Sequence, residues 1–275
     1  MQKRRHFRLK LGLCILCVIA VGGSFCLGKE LEKRRLEEVG DWFINDKETV
    51  LPQTIVHKVV DDFLNSPMAA GKKEKKVLVI GYDGVRRDAL DSLIGKEDSA
   101  IHVVGEKGGI YATFAGGILG KNEQETTTAP GWAAILTGGW SDYSGVGHSS
   151  DPLNLGVDTW LETAAEQGYN CGFISSWKEH FEYAYAADVN EAVYKNMNPI
   201  YIQTHDDEST LDIVTRSFGE YDQDVIFAIF EGPDEAGHTF GYGSDIPEYE
   251  NAIREVDEMT YNILNEIENR ESYDE

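Results

Sequence analysis

The sequence predicts an α/β domain with a mostly parallel central sheet and helices on both faces. Three observations predict it. Short apolar runs recur, VLVIGYD at 77–83, YNCGFIS at 169–175 and DVIFAIFEG at 224–232. Helix-length amphipathic segments lie between and after them, and such alternation is the pattern of a parallel sheet covered on both sides. The 275 residues suffice for one such domain with a sizeable core, since burial efficiency rises with size up to about 250 to 300 residues.

The N-terminus comes first. Lys3, Arg4, Arg5, Arg8 and Lys10 precede the apolar run LGLCILCVIAVGGSFCLG at 11–28, and residues 1–28 contain no Asp or Glu. A basic flank before an apolar run marks a signal peptide or an uncleaved signal anchor. Ala20 and Gly22 make a poor cleavage site and bulky Phe25 precedes Cys26, so an anchor is favoured. The remainder of the chain then lies outside the cytoplasmic membrane, or is secreted if the signal is cleaved. Residues 29–76 are mixed in charge, with Glu30, Lys33, Arg34, Glu37 and Glu38 spaced for pairs along a helix. They read as a stalk, closed by the basic GKKEKK at 71–76.

The domain proper is 77–275. VLVIGYD reads as a buried parallel strand. A helix is expected from Gly131 to Leu136 with Pro130 at its first position, and another from an Asp158 cap to Gln167, stopped by Gly168. YNCGFIS and DVIFAIFEG follow as strands. Ile246, Tyr249, Ile253, Val256, Ile263 and Ile267 then recur at three- and four-residue steps, which predicts a long amphipathic helix.

Charge and cysteines exclude some functions. The net charge of −23 hides an asymmetry: the part beyond residue 28 is the strongly acidic one, and such a surface repels nucleic-acid polymers, which are bound by clustered Lys and Arg. Cys14, Cys17 and Cys26 sit in the apolar run. Cys171 is left alone in the exported part, where it reads as a packed core thiol.

Ligand sites in open α/β sheets lie beyond the carboxyl ends of the strands. Asp83 ends the first strand, and GPDEAGH follows DVIFAIF with Asp234 and His238 four apart, an oxygen and nitrogen pair suited to zinc. Each is weak by itself; Asp83 could simply cap a turn. Between them TTTAPGWAAILTGG at 126–139 places a threonine hydroxyl just ahead of a helix N-terminus, where the dipole and free N–H groups favour an incoming phosphate. The plain alternative is a threonine-rich cap. His102, His180 and His205 lack partners at ligand spacing and read as surface or packed residues. Asp206 and Asp207 read as a solvated acidic loop, and Trp132 as a core residue or a wall of the substrate pocket.

In this order, VIGYDG, TTTAPGW…TG and PDEAGHTFGYG resemble the alkaline phosphatase superfamily, in its type I phosphodiesterase/nucleotide pyrophosphatase branch, over roughly residues 76–270. The resemblance implies an alkaline phosphatase-like sheet and a hydrolase of small phosphate esters or nucleotides. It implies Thr128 as nucleophile and two divalent metal ions. Asp83 and Thr128 would belong to one, and Asp234 and His238 to the other. Zinc is the metal that ligand type and resemblance favour, with manganese or another divalent ion open.

The sequence departs from the family in two places. An Asn found about 21 residues after the family's nucleophile is replaced here by SGVGHSS, where His148 or Ser149 could substitute. The family's later Asp-His pair and a further His have no counterpart: the chain has no Asp-His dipeptide and no His after His238. Two ligands per metal remain where catalytic zinc has at least three. The chain therefore reads as cut short after the long helix, with the sheet incomplete. The alternative is a non-catalytic, membrane-anchored binding module or an inactive fragment.

Overall fold

In a parallel sheet covered on both faces every strand residue meets a helix, and side chains of opposite parity enter two separate cores. The computed structural model describes residues 51–118, 120–186 and 200–270. The anchor at 1–28 and residues 29–50 of the stalk lie outside the described residues.

The described chain opens with β1 (Leu51–Pro52), α1 (Ile55–Asn65), β2 (Val77–Tyr82), α2 (Arg87–Ile94), α3 (Ala100–Lys107) and β3 (Thr113–Phe114). Next come α4 (Thr128–Thr137), the short α5 (Ser141–Ser144), α6 (Trp160–Glu166), β4 (Cys171–Ser175) and a π-helical turn at His180–Ala184. β5 (Ile200–Gln203), α7 (Asp207–Gly219), β6 (Val225–Phe230), α8 (Gly232–Phe240) and α9 (Pro247–Glu268) complete it. The main sheet has the order β2-β6-β4-β5, with every ladder parallel. A small parallel ladder joins β1 and β3.

One core unites Val77, Val79, Phe173, Val225, Phe227 and Ile229 with Val60 and Leu64 of α1, Leu136 of α4 and Trp160 of α6. The opposite parity, Leu78, Ile80, Ile174, Ile226, Ala228 and Phe230, meets Val214 and Phe218 of α7 and Val256 and Ile263 of α9. Helices therefore cover both faces, as the alternation of apolar runs and amphipathic segments predicts. β6 is buried throughout because it is paired on both sides. β2 differs from its reading as a buried strand: it pairs only with β6 among the described residues, and Val77 to Ile80 stay half-buried.

Charge pattern alone misreads the segment before β2. Helix α1 falls in the stretch read as stalk, yet it packs into the first core. Lys75, in the basic GKKEKK, is buried, and its ammonium donates to the carbonyls of Phe63, Leu64 and Ser66 at the end of α1. A lysine there satisfies carbonyls that the helix leaves without donors.

Two helix starts also shift. α4 begins at Thr128, three residues before the expected Gly131, and Pro130 sits at its third position. That position tolerates proline because the first four helical N–H groups have no intrahelical acceptor. α6 is capped by Thr159, whose hydroxyl accepts from the Glu162 amide at 3.2 Å, in place of Asp158. Its hydroxyl reaches the third amide of the helix, the N-cap geometry that a threonine adopts as readily as an aspartate.

Candidate active site

The carboxyl ends of β2 and β6 lie side by side because the two strands pair in register, with Tyr82 opposite Phe230. Asp83 extends the ladder by one bond, its N–H donating to Phe230 O at 2.9 Å. Its carboxylate and that of Glu231, the first polar residue after β6, are thus brought to one edge. Gly84 then takes φ +66, and a Cβ there would stand 2.5 Å from Asp234 Oδ1. Only glycine lets the two loops approach this closely.

GPDEAGH folds as the first turns of α8, so Asp234 and His238 share one face of a helix. Asp207, at the start of α7, fixes where α8 begins: Oδ1 accepts from the Glu231 amide at 2.9 Å and Oδ2 from the Gly232 amide at 2.8 Å. Its neighbour Asp206 caps α7, accepting from the Ser209 amide at 2.9 Å. The pair read as a solvated acidic loop is therefore a double cap.

Thr128 opens α4, and neighbouring side chains hold that first turn in place. Tyr185 donates to Ala129 O at 3.1 Å, Gln124 to Pro130 O at 3.0 Å and Gln53 to Gly131 O at 3.2 Å. Trp132 packs its ring on the bare backbone of Gly81 in β2 and meets Phe227 edge-on at 5.7 Å. It is both core and cleft wall. Asp83, Thr128, Asp234 and His238 all line a single cleft of about 1190 Å³.

The cleft gathers carboxylates with little positive charge to offset them. Asp83 is pushed up to about 7, first by burial and then by the neighbouring Glu231 and Asp234 carboxylates. Glu231 is likewise pushed up to about 7, chiefly by burial. Asp83 Oδ1 accepts from the Gly84 amide, whereas the buried Oδ2 makes no well-formed hydrogen bond. Thr128 and Glu231 lie near enough to bias its ionisation. Among the lining residues Arg86 alone has a fixed positive charge, and Asp88 engages it bidentately at 3.0 and 2.9 Å.

The ligand chemistry fits divalent ions. Asp234 Oδ2 stands 3.4 Å from His238 Nε2, against an edge of about 3.3 Å for a tetrahedron with bonds of about 2.0 Å. The orphaned Asp83 Oδ2 offers a further oxygen. No group of three or more His, Cys, Asp or Glu arranged to hold one ion occurs among the described residues, so each ion would draw two ligands from them.

Several residues fall where their types alone did not say. Ser149 lines the cleft, while His148 is exposed and pairs with Ser150 Oγ at 3.2 Å. His205 lines the mouth with its side chain 92% exposed. His102 Nδ1 lies 2.9 Å from Ile94 O, linking α2 and α3. Cys171 is buried in β4, its thiol pushed up to about 12 by burial, which makes it inert.

Sequence reasoning missed Glu231, whereas His180 is packed, one of the two placements its sequence allowed. Glu231 Oε1 accepts from Ser175 Oγ at 2.7 Å and lies 3.5 Å from His180 Nε2. His180 is fully buried, and burial lowers its pKa to about 3, so the ring is neutral. Glu231 was findable, since it ends β6 as Asp83 ends β2. The π-helical turn carries His180 into the packed position beside Glu231.

Residues 77–275 match the family described as Type I phosphodiesterase / nucleotide pyrophosphatase. The chain belongs to this family. The type I phosphodiesterase family lies within the alkaline phosphatase superfamily that the motif order resembles. Among solved structures, murine ectonucleotide pyrophosphatase/phosphodiesterase 5 is 18% identical, with TM-score 0.49 over 72% of this chain and 54% of its own. An inactive variant of that enzyme in complex with AMP aligns at 18% identity and TM-score 0.49, over 73% and 54%. Phosphonoacetate hydrolase from Sinorhizobium meliloti 1021 with phosphonoacetate aligns at 10% identity and TM-score 0.44, over 71% and 53%. The chain spans about half the length of these structures. Among curated protein sequences none matches.

Proposed function

We propose that this member of the type I phosphodiesterase family is a metal-dependent phosphoric ester hydrolase with Thr128 as nucleophile between two divalent ions. The observation that carries the reading is a cleft that gathers Thr128 with Asp83, Glu231 and Asp234 and offers almost no fixed positive charge. Three carboxylates repel a phosphate in proportion to their closeness. Cations on these carboxylates would relieve that repulsion and admit an anionic ester.

Asp83, with the Thr128 hydroxyl, would hold one ion, and Asp234 with His238 the other; zinc suits both ligand sets. Bound there, such ions would supply Lewis acidity beside the Thr128 hydroxyl. Thr128 then attacks phosphorus, a bond forming from its Oγ as the bond to the leaving oxygen breaks. Its proton passes to solvent and the leaving oxygen gains one, which keeps the step balanced. At the start of α4 only the Thr128 and Ala129 amides could meet phosphoryl oxygens, because Pro130 has no N–H and the Gly131 amide donates to Thr127 O at 3.0 Å. Water hydrolyses the phospho-threonine and frees the hydroxyl. The substrate class is a small phosphate ester or nucleotide, with Trp132 as an apolar wall. The apolar run at 11–28 would tether the domain to the membrane, facing away from the cytoplasm.

The test is hydrolysis of a chromogenic phosphodiester by the full chain loaded with Zn2+, beside a Thr128→Ala variant. Turnover that needs the metal and falls at least a thousandfold in the variant is expected, since loss of a nucleophile leaves only binding and electrostatic terms. Metal uptake with equal rates for both proteins would end the nucleophile assignment. Failure to bind Zn2+ would leave a non-catalytic binding module as the better account.

A further inference from the structure

The Asp234 carboxylate has two oxygens in different company. Oδ2 faces His238 Nε2 at 3.4 Å. Oδ1 accepts a hydrogen bond from the Tyr242 phenol at 2.6 Å. The donor comes from beyond the end of α8, where Gly241 turns the chain at φ +110. Its ring lies flush on Gly237, where any Cβ would collide with it. The Tyr242 ring also meets His238 edge-on at 5.6 Å and Tyr249 edge-on at 5.5 Å. Tyr249 in turn donates to Gly84 O at 2.7 Å and accepts from the Arg86 amide at 2.9 Å. One tyrosine pair thus connects the loop after β2, the start of α9 and the Asp234–His238 face of α8.

We infer that Tyr242 is a positioning residue: its phenol holds Asp234 Oδ1 so that Oδ2 alone is presented, beside His238, to a divalent cation. This rests on the two-metal reading. A carboxylate free to rotate about its last bond would spend part of its time with neither oxygen toward His238, or would offer both. A donor at 2.6 Å removes that freedom, and a charge-assisted bond of this length is among the stronger kinds. Outer partners of this type typically govern metal affinity by 10–100-fold. The glycine at 237 and the edge-on contact with His238 give the tyrosine a second effect. The ring restrains the imidazole at the same time as the hydroxyl restrains the carboxylate.

Zn2+ titration of the full chain against a competing chromogenic chelator tests this. Asp83→Ala and His238→Ala assign the two sites, and metal-free melting curves are recorded for every protein. Tyr242→Phe keeps the ring and removes the donor. It is expected to weaken the His238 site about tenfold, with the Asp83 site and the metal-free melting midpoint unchanged. Gly237→Ala pushes the ring away with the phenol still present, and is expected to weaken the same site. Two unweakened sites in Tyr242→Phe would overturn the inference while the two-metal reading stands. Equal weakening of both sites with a lowered melting midpoint would overturn it too, as a purely structural role. A wild-type chain that takes up no Zn2+ removes the reading and the inference together.

Discussion

Gly84 and Asp234 approach so closely that a Cβ on the first would stand 2.5 Å from Oδ1 of the second. The contact joins the loop after β2 to the first turn of α8 and sets the spacing between the Asp83 and Asp234 carboxylates. Gly84→Ala adds a left-handed backbone penalty, at φ +66, to this collision. The expected loss is about 2–4 kcal/mol in urea unfolding. Zinc uptake should also fall, because the loop must move outward to admit the methyl group.

Asp207 sets the start of α8 through two amides. Removing the acceptor of two half-buried amides costs about 1–3 kcal/mol. Asp207→Ala should show this in denaturant midpoints, and Asp207→Asn, which keeps one oxygen, about half of it. Equal midpoints for Asp207→Ala and wild type would mean that water replaces the carboxylate.

The metal-free protein should lose stability as pH rises. Asp83 and Glu231 are both raised to about 7 in the fold, above ordinary carboxyl values near 4. The native state therefore binds more protons than the unfolded state between about pH 4 and 7. Their contribution is full below the unfolded values and is lost as pH climbs through the folded ones, at up to about 1.4 kcal/mol per pH unit for each group. Chemical denaturation across pH 5–8 should show the decline in wild type and a shallower one in Glu231→Gln. Saturating Zn2+ should flatten it, since a cation favours the ionised carboxylates.

Gly81 leaves room for the Trp132 ring between β2 and α4. Gly81→Ala must displace that ring, and with it the first turn of α4 that bears Thr128. Overpacking of this kind costs about 1–3 kcal/mol. Near-UV circular dichroism should register the altered indole environment, and any diesterase activity should fall more than the stability does.

What the sequence by itself determined is local and periodic. Runs such as VLVIGY and VIFAIF dictate strands, and the spacing of Tyr249, Ile253, Val256 and Ile263 dictates α9, because a buried face must recur with the period of its element. The end of each run then points to Asp83 and to the Asp234–His238 pair. Charge pattern misjudged Lys75 and α1 because a lysine that caps carbonyls and one that faces solvent look the same in sequence. Only the tertiary structure decided that β2 and β6 are neighbours, which brings Asp83 against Glu231 although they stand 148 positions apart in the chain. It alone placed Ser149 and not His148 in the cleft, gave Asp207 its two amides and set Tyr242 against Asp234. Those contacts depend on strand order and on glycines that let backbones meet, and no periodicity in the chain encodes which distant segments will touch.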